Sequence, residues 1–288
     1  MSKPIPFTYD EVQSAFPEFV VVDPHVGSGD QKVAYRATSG STNLALKILL
    51  DGIVEDPDDE AEDFAERFRR ELQGMASTTC PYVINVVDEP QSRTIGAVDY
   101  LWYSEPFLQG GTLRARLKAN NRLSPEEVQQ LAECLLAAVH AMWHEGHFVH
   151  RDLKPGNIGF NVAGNAVVID LGIALFRDMA PVTQSSLTSP GTQFYAAPEQ
   201  YELRRNAEMD FRTDLFQVGI VLFESLTGSH PFRGSAHYMD ALNSFDPKVL
   251  DSVQMSDGLR LLITRCLASK PNRRPRTVDR AIEMLRGV

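Results

Sequence analysis

His150-Arg151-Asp152-Leu153-Lys154-Pro155-Gly156-Asn157, with Asp170-Leu171-Gly172 a short way behind it, is the stretch around which this 288-residue chain is organised. It places a carboxylate, a lysine two positions on, a side-chain amide and a second carboxylate in close succession. A carboxylate at Asp152 can orient a hydroxyl and take its proton, and the ammonium of Lys154 can offset negative charge nearby. Asn157 and Asp170 offer the hard oxygen donors that divalent cations prefer. The four together suit transfer of a phosphoryl group from a nucleotide.

The composition fits that chemistry and excludes others. With 43% hydrophobic and 23% charged residues the chain is long enough for two small lobes, each with its own core. A formal net charge of −10 argues against a general nucleic-acid binder, which needs a basic surface to displace counterions. Cys80, Cys134 and Cys266 lie far apart without CxxC spacing, so they read as free thiols of a reducing compartment. The start, MSKPIPFTYDEV, has no signal-peptide core, and no run of about 18 apolar residues occurs. The expectation is a cytoplasmic protein without a membrane segment, its mature form the whole chain.

Outward from the octet, the pattern divides in two. Residues 1 to about 18 read as a polar lead-in. Phe19–Val22 and Val33–Tyr35 read as strands joined by the turn Gly27-Ser28-Gly29-Asp30-Gln31-Lys32, and Asn43–Leu50 as a third strand carrying one lysine, Lys47. A lysine inside an apolar strand calls for an anionic partner. An acidic run from Asp51 leads into a helix marked by Phe64, Phe68, Leu72 and Met75. Further strands are expected at Val83–Val87 and Tyr100–Tyr103, and a hinge across Glu105 to Leu113. Beyond it, Ser124-Pro125-Glu126-Glu127 is a capping box with proline at the first helical position, backed by Val128, Leu131, Leu135, Val139 and Met142. Val167–Ile169 reads as a short strand presenting Asp170. Asp214–Thr227 is apolar nearly all round and belongs at the centre of a helical lobe. Weaker helices follow near 236–244, 256–269 and 277–287. His140, His144 and His147 have no carboxylate or cysteine in sequence to complete a metal site and read as structural.

HRDLKPGN, DLG and Ala197-Pro198-Glu199, in that order and at those separations, resemble a eukaryotic-like (Hanks-type) serine/threonine protein kinase catalytic domain of bacterial type. The resemblance implies an α+β, bilobal fold. Residues 1–108 would form a small antiparallel β lobe with one helix, and residues 109–288 a larger, mainly helical lobe. It implies Asp152 as catalytic base, Lys154 as stabiliser of the transferring phosphoryl group, and Thr192 beside them. Asn157 and Asp170 would hold Mg²⁺ (or Mn²⁺) on ATP. Gly27, Ser28 and Gly29 would cover the phosphates, with Ala45 against the nucleotide and Lys47 on its α- and β-phosphates. Glu66 and Glu71 both stand where the ion-pair partner of Lys47 is sought; Glu71 is preferred because Met75 follows it by one helical turn. Pro106 would offer its carbonyl and Leu108 its N–H to the adenine. Glu105 would line the back of that pocket and need a polar partner, unless the alignment is shifted by one residue.

The same resemblance implies a buried tie between Glu199 and Arg274, and His150 braced on Leu171. Arg151 goes with control by phosphorylation of the loop holding Thr183, Ser185, Ser186, Thr188 and Ser189. Three positions depart from the family pattern: Lys32 at the third glycine, Ala34 where valine is expected, and Gly159 where a bulkier apolar residue is usual. Lys32 either reaches a phosphate or projects into solvent. The expected partners are protein substrates with Ser or Thr acceptors, including the chain itself, and a regulatory protein; neither nucleic acid nor membrane is expected. Two other readings stand beside the kinase. A pseudokinase would be a binding or scaffolding module in which Lys32, Ala34 and Gly159 signal a degraded nucleotide site, and a small-molecule kinase on a related fold would lack the Ala-Pro-Glu segment and its arginine.

Overall fold

A computed structural model describes residues 4–28, 32–50, 76–170, 175–176, 193–201, 209–232, 241–242 and 245–288. The chain falls into two compact units, Met1–Ala76 with Ile84–Phe107, and Ser77–Val83 with Leu108–Val288. A division at residue 108 puts Ser77–Val83 in the first part, whereas this segment packs with the second: Val83 bridges Val168, and Thr79 donates to Glu145.

The first unit is a five-stranded antiparallel sheet in the order β1-β2-β3-β5-β4. Its strands are β1 (Val20–Ser28), β2 (Lys32–Ser39), β3 (Thr42–Leu49), β4 (Asp88–Ile95) and β5 (Val98–Pro106). Alternation along a strand sends successive side chains to opposite faces. Val33, Tyr35, Leu46, Ile48 and Trp102 therefore share one buried face. Ala34, Lys47 and Tyr103 stand in one cross-strand row on the other, next to the row of Arg36, Ala45 and Glu105.

The expected polar lead-in is a correction: it contains helix α1 (Tyr9–Ala15). Thr8 and Glu11 form a reciprocal capping box. Phe7 before the cap and Val12 behind it enter the same core as Phe16, which meets Trp102 edge-on at 5.0 Å. This helix closes the apolar face of the sheet. The helix expected over 64–75 lies outside the described residues. The strand expected at Val83–Val87 is also corrected. The fourth strand is Asp88–Ile95, a polar edge strand, while Val83 makes an isolated bridge in the second unit.

The second unit is mainly helical. Helices α2 (Leu113–Asn120), α3 (Pro125–His144), α4 (Phe211–Thr227), α5 (Asp257–Cys266) and α6 (Val278–Arg286) are joined by the short pairs β6 (Phe148–Val149) with β9 (Leu175–Phe176), and β7 (Ile158–Phe160) with β8 (Ala166–Val168). α3 starts on the predicted box, with Ser124 and Glu127 bonded reciprocally. Its five predicted stripe residues are all buried. α4 is buried around its whole circumference from Phe211 to Leu226, Arg212 excepted, and forms the axis of the unit. Among the described residues no helix is long and apolar enough to cross a membrane.

Candidate active site

The octet leaves β6, turns through Pro155–Asn157 and enters β7, whose hairpin with β8 returns the chain to Asp170. Two residues on this path have left-handed backbone angles, Arg151 at φ 68° and Asp170 at φ 67°. Such angles are costly for side chains with a Cβ and persist only where the surroundings hold them.

The hold on Arg151 comes from α4 and from the segment after Ala197. Both oxygens of Asp214 accept backbone N–H bonds, from His150 at 2.9 Å and Arg151 at 2.8 Å. Gln217, one turn on, accepts from Leu153 N–H and donates to the Arg151 carbonyl, to which Gln200 also donates. His150 accepts the Asp152 N–H on Nδ1. Burial pushes the Asp214 carboxyl up to about 7, against these hydrogen bonds and the charge of Arg151. Asp214, Gln217 and Gln200 were not among the site residues read from sequence. Their signal was there: polar side chains on a helix otherwise apolar all round, and a glutamine directly after Ala197-Pro198-Glu199.

This frame presents Asp152. Its Oδ2 accepts from Lys154 Nζ at 2.7 Å and from Asn157 Nδ2 at 3.0 Å, and Asn157 also donates to the Asp152 carbonyl. Its Oδ1 is buried and accepts no hydrogen bond among the described residues. A buried, unsatisfied acceptor costs stability and is retained where a ligand supplies the donor. Burial raises the Asp152 pKa, the charges of Lys154 and the hydrogen bonds pull it back, and the nearby Asp170 pushes it up again. Asn157 spends its amide nitrogen on Asp152, which leaves its carbonyl oxygen for a cation. Asp170, whose charge acts on Asp152, offers further hard oxygen donors, and the two donor types suit a divalent cation.

In the first unit Lys47 is buried on β3 and pairs with Glu105 on β5 at 2.6 Å, both side chains under one-tenth exposed. The register explains the pair: Ala45 lies opposite Glu105 and Lys47 opposite Tyr103, so the two charges are diagonal neighbours on one face. Glu105 thus has the polar partner its position called for. Lys32 turns its Nζ towards the Tyr103 hydroxyl at 3.5 Å rather than into open solvent. Gly27 and Ser28 end β1, exposed, and among the described residues a Cβ on Gly27 would meet no atom within 4 Å. Pro106 ends β5 opposite Leu44.

Leu108 belongs to the second unit, where it bears on Gly159. A Cβ at Gly159 would lie 2.4 Å from Leu108 Cδ1, so the leucine fills the space that a larger residue on β7 would take. Gly29, Glu66, Glu71, Leu171, Thr192 and the five candidate acceptors from Thr183 to Ser189 lie outside the described residues. The Glu199–Arg274 tie is present: the guanidinium meets the carboxylate at 2.6 and 2.9 Å, fully buried, and also donates to the carbonyls of Ala268, Ser269 and Arg212. One premise is corrected. α6 brings Asp279 to His140 and His144, the three offering ligand-type atoms within 4.8 Å of one another, with His140 Nε2 3.5 Å from Asp279. The carboxylate missing from the sequence neighbourhood arrives from another helix.

The protein kinase domain family matches residues 20–284. Among curated proteins, the serine/threonine-protein kinase PrkC of Bacillus subtilis is 33% identical over 75% of this chain and 32% of its own length. A probable serine/threonine-protein kinase PknB of Bifidobacterium longum is 34% identical over 73% of the chain and 30% of its own. The serine/threonine-protein kinase PknB of Mycobacterium leprae is 29% identical over 82% and 37%. The chain spans about a third of the length of these relatives.

Proposed function

Because the chain belongs to the protein kinase domain family, we propose that it transfers the γ-phosphoryl group of ATP to serine and threonine hydroxyls of proteins. The observation that carries this reading is Asp152, with one carboxylate oxygen fixed by Lys154 and Asn157 and the other buried without a donor among the described residues. A substrate hydroxyl supplies the missing donor. Its oxygen bonds to the γ-phosphorus as the bond to the β,γ-bridging oxygen breaks, ADP departs with that electron pair, and the proton passes to Asp152 Oδ1. The raised pKa of Asp152 makes it a better proton acceptor than a solvent-exposed aspartate. Lys154 offsets charge on the group in transfer.

Asn157 and Asp170 are assigned to a divalent cation, Mg²⁺ or Mn²⁺, which when bound neutralises charge on the phosphates. Lys47 is assigned to the α- and β-phosphates, with Glu105 paired to it at 2.6 Å. Gly27, Ser28, Gly29 and Ala45 are assigned to the nucleotide, Pro106 and Leu108 to the adenine, Glu71 to the lysine and Thr192 to the substrate side. The class of acceptor follows the names of the relatives. The chain's own loop from Thr183 to Ser189 is proposed among its substrates, and the cytoplasm as the compartment, in keeping with three free cysteines.

Purified protein with labelled ATP and Mg²⁺ or Mn²⁺ should label itself or a basic generic substrate, and Asp152→Asn should abolish the label. In the pH–rate profile the acid limb should lie above the ordinary aspartate value of about 3.9. Equal silence of wild type and variant despite ATP binding, maintained after co-expression with an activating kinase, defeats the proposal.

A further inference from the structure

We propose that an arginine-lined pocket between α5 and α6 is a binding site for the phosphorylated side chain of a phosphoserine or phosphothreonine in a protein segment. The cavity holds about 380 Å³ and is lined by Arg265 from α5, by Arg273 and Arg276 from the loop that follows it, and by Arg280 from α6. Arg274 also reaches it, but is spent on Glu199. Arg280 shares its charge with Glu283 at 2.7 Å. Arg265, Arg273 and Arg276 are exposed and form no ion pair among the described residues. Several guanidinium groups around one cavity repel one another, and a bound anion relieves that repulsion.

Charge distribution selects the anion. From Arg265 to Arg286 seven basic side chains face two acidic ones, in a chain of net charge −10. An extended polyanion such as nucleic acid or an anionic bilayer meets the acidic remainder of the molecule along with this patch. A single phosphomonoester engages the arginines at short range, within the Debye length of about 8 Å. Arginine's planar fork matches phosphate oxygens bidentately, which a lysine cluster would not do. The volume lies at the small end of ligand pockets, roughly 300–1,000 Å³, and suits one modified side chain with its flanking backbone. Pro275 and Met284 give the pocket an apolar wall for the methylene or methyl group that carries the phosphate.

The site would receive the product of the reaction proposed above and in that sense rests on that reading; binding to it is measured without catalysis. The probe is a fluorescent peptide of neutral residues with one phosphothreonine, read by anisotropy, beside its unphosphorylated and glutamate-substituted forms. The phosphopeptide should bind about tenfold or more tighter than either, the worth of one charge-assisted contact. Arg273→Ala with Arg276→Ala should remove that margin while circular dichroism and melting stay unchanged, and Arg265→Gln alone should weaken it, which serves if the double variant misfolds. Asp152→Asn should retain peptide binding even where it abolishes labelling, so failure of the kinase reading and failure of the pocket are separate results. Equal binding of phosphorylated and unphosphorylated peptides overturns the proposal, as does phosphopeptide binding that survives loss of the arginines. Phosphatidylserine vesicles binding as tightly as the phosphopeptide would also overturn it, in favour of a membrane surface.

Discussion

Replacing Asp214 by asparagine separates an anchoring role from mere packing. The carboxylate accepts two backbone N–H groups, one on each oxygen, from the residues directly before Asp152. An asparagine of the same shape accepts one and turns an NH₂ towards the other, leaving a buried N–H without an acceptor. That loss costs about 1–3 kcal/mol. For a chain of this size each kcal/mol moves Tm by about 2–4 °C, so a midpoint lowered by roughly 2–12 °C is expected. Arg151, held at φ 68°, loses part of what keeps it there and shifts Asp152 with it. A displacement near 1 Å at the reacting group costs about 10²-fold in turnover. The pH dependence supplies a second readout. Burial raises the native Asp214 pKa to about 7, whereas the unfolded group titrates near 3.9. Between those values the native state holds a proton that the unfolded state has lost, so the stabilisation declines as pH rises through the window. Asparagine does not titrate. The deficit of the variant in Tm should therefore be larger at pH 5 than at pH 8. Calorimetry across that range and a peptide phosphorylation assay test both effects. Wild-type turnover with a lowered Tm would reduce Asp214 to a packing residue, and no change in either would refute the anchor altogether.

Three further perturbations follow from particular contacts. Glu105→Leu removes one buried acceptor of Lys47 and should cost about 1–3 kcal/mol in urea unfolding. Adding Lys47→Met should restore much of it while abolishing phosphotransfer; no recovery in the double variant would mean that the pair does not carry the stability. Arg274→Lys cannot reproduce a bidentate bond to Glu199 together with three carbonyl contacts, and should cost about 3–5 kcal/mol by the same measurement. A loss below 1 kcal/mol would contradict a load shared among all five acceptors. Gly159→Ala drives a Cβ into Leu108 and should destabilise by about 1–3 kcal/mol, with Leu108→Ala relieving the strain in the double variant. Additive losses would show that the two residues do not meet.

What the sequence disclosed depended on how local the signal was. The box at Ser124 and the apolar run of β3 are complete within a few residues; α3 begins on its box, and β3, expected from Asn43, begins one residue earlier at Thr42. α1 carried an equally complete box at Thr8 and Glu11, yet seven residues offer only about two helical turns, too few for a period to emerge. β4 has no apolar run, because an edge strand with polar side chains does not need one. The neighbouring Val83 and Ile84 drew the assignment, although Val83 is buried for another reason, its bridge to Val168. The pairing of Lys47 with Glu105 depends on a register between strands far apart in the sequence, which no local pattern fixes.

The helix at the centre of the second unit shows how an apolar pattern can conceal function. Its hydrophobicity all round predicts burial, and burial makes every polar residue on it expensive unless it is bonded. Asp214, Gln217 and Glu224 stand there beside Thr213 and Ser225, and spacings of three and seven place these three along one stripe. Asp214 and Gln217 spend their polar atoms on the backbone of His150, Arg151 and Leu153, and Glu224 takes the Tyr195 hydroxyl and Arg114. Asp214, Gln217 and Glu224 are thus the points at which the core reaches out to hold the octet and the segment behind it. Asp152 owes its position to a helix more than fifty residues downstream. A carboxyl group in so buried a place is tolerated because it fixes a backbone that the octet, left to its own preferences, would not adopt.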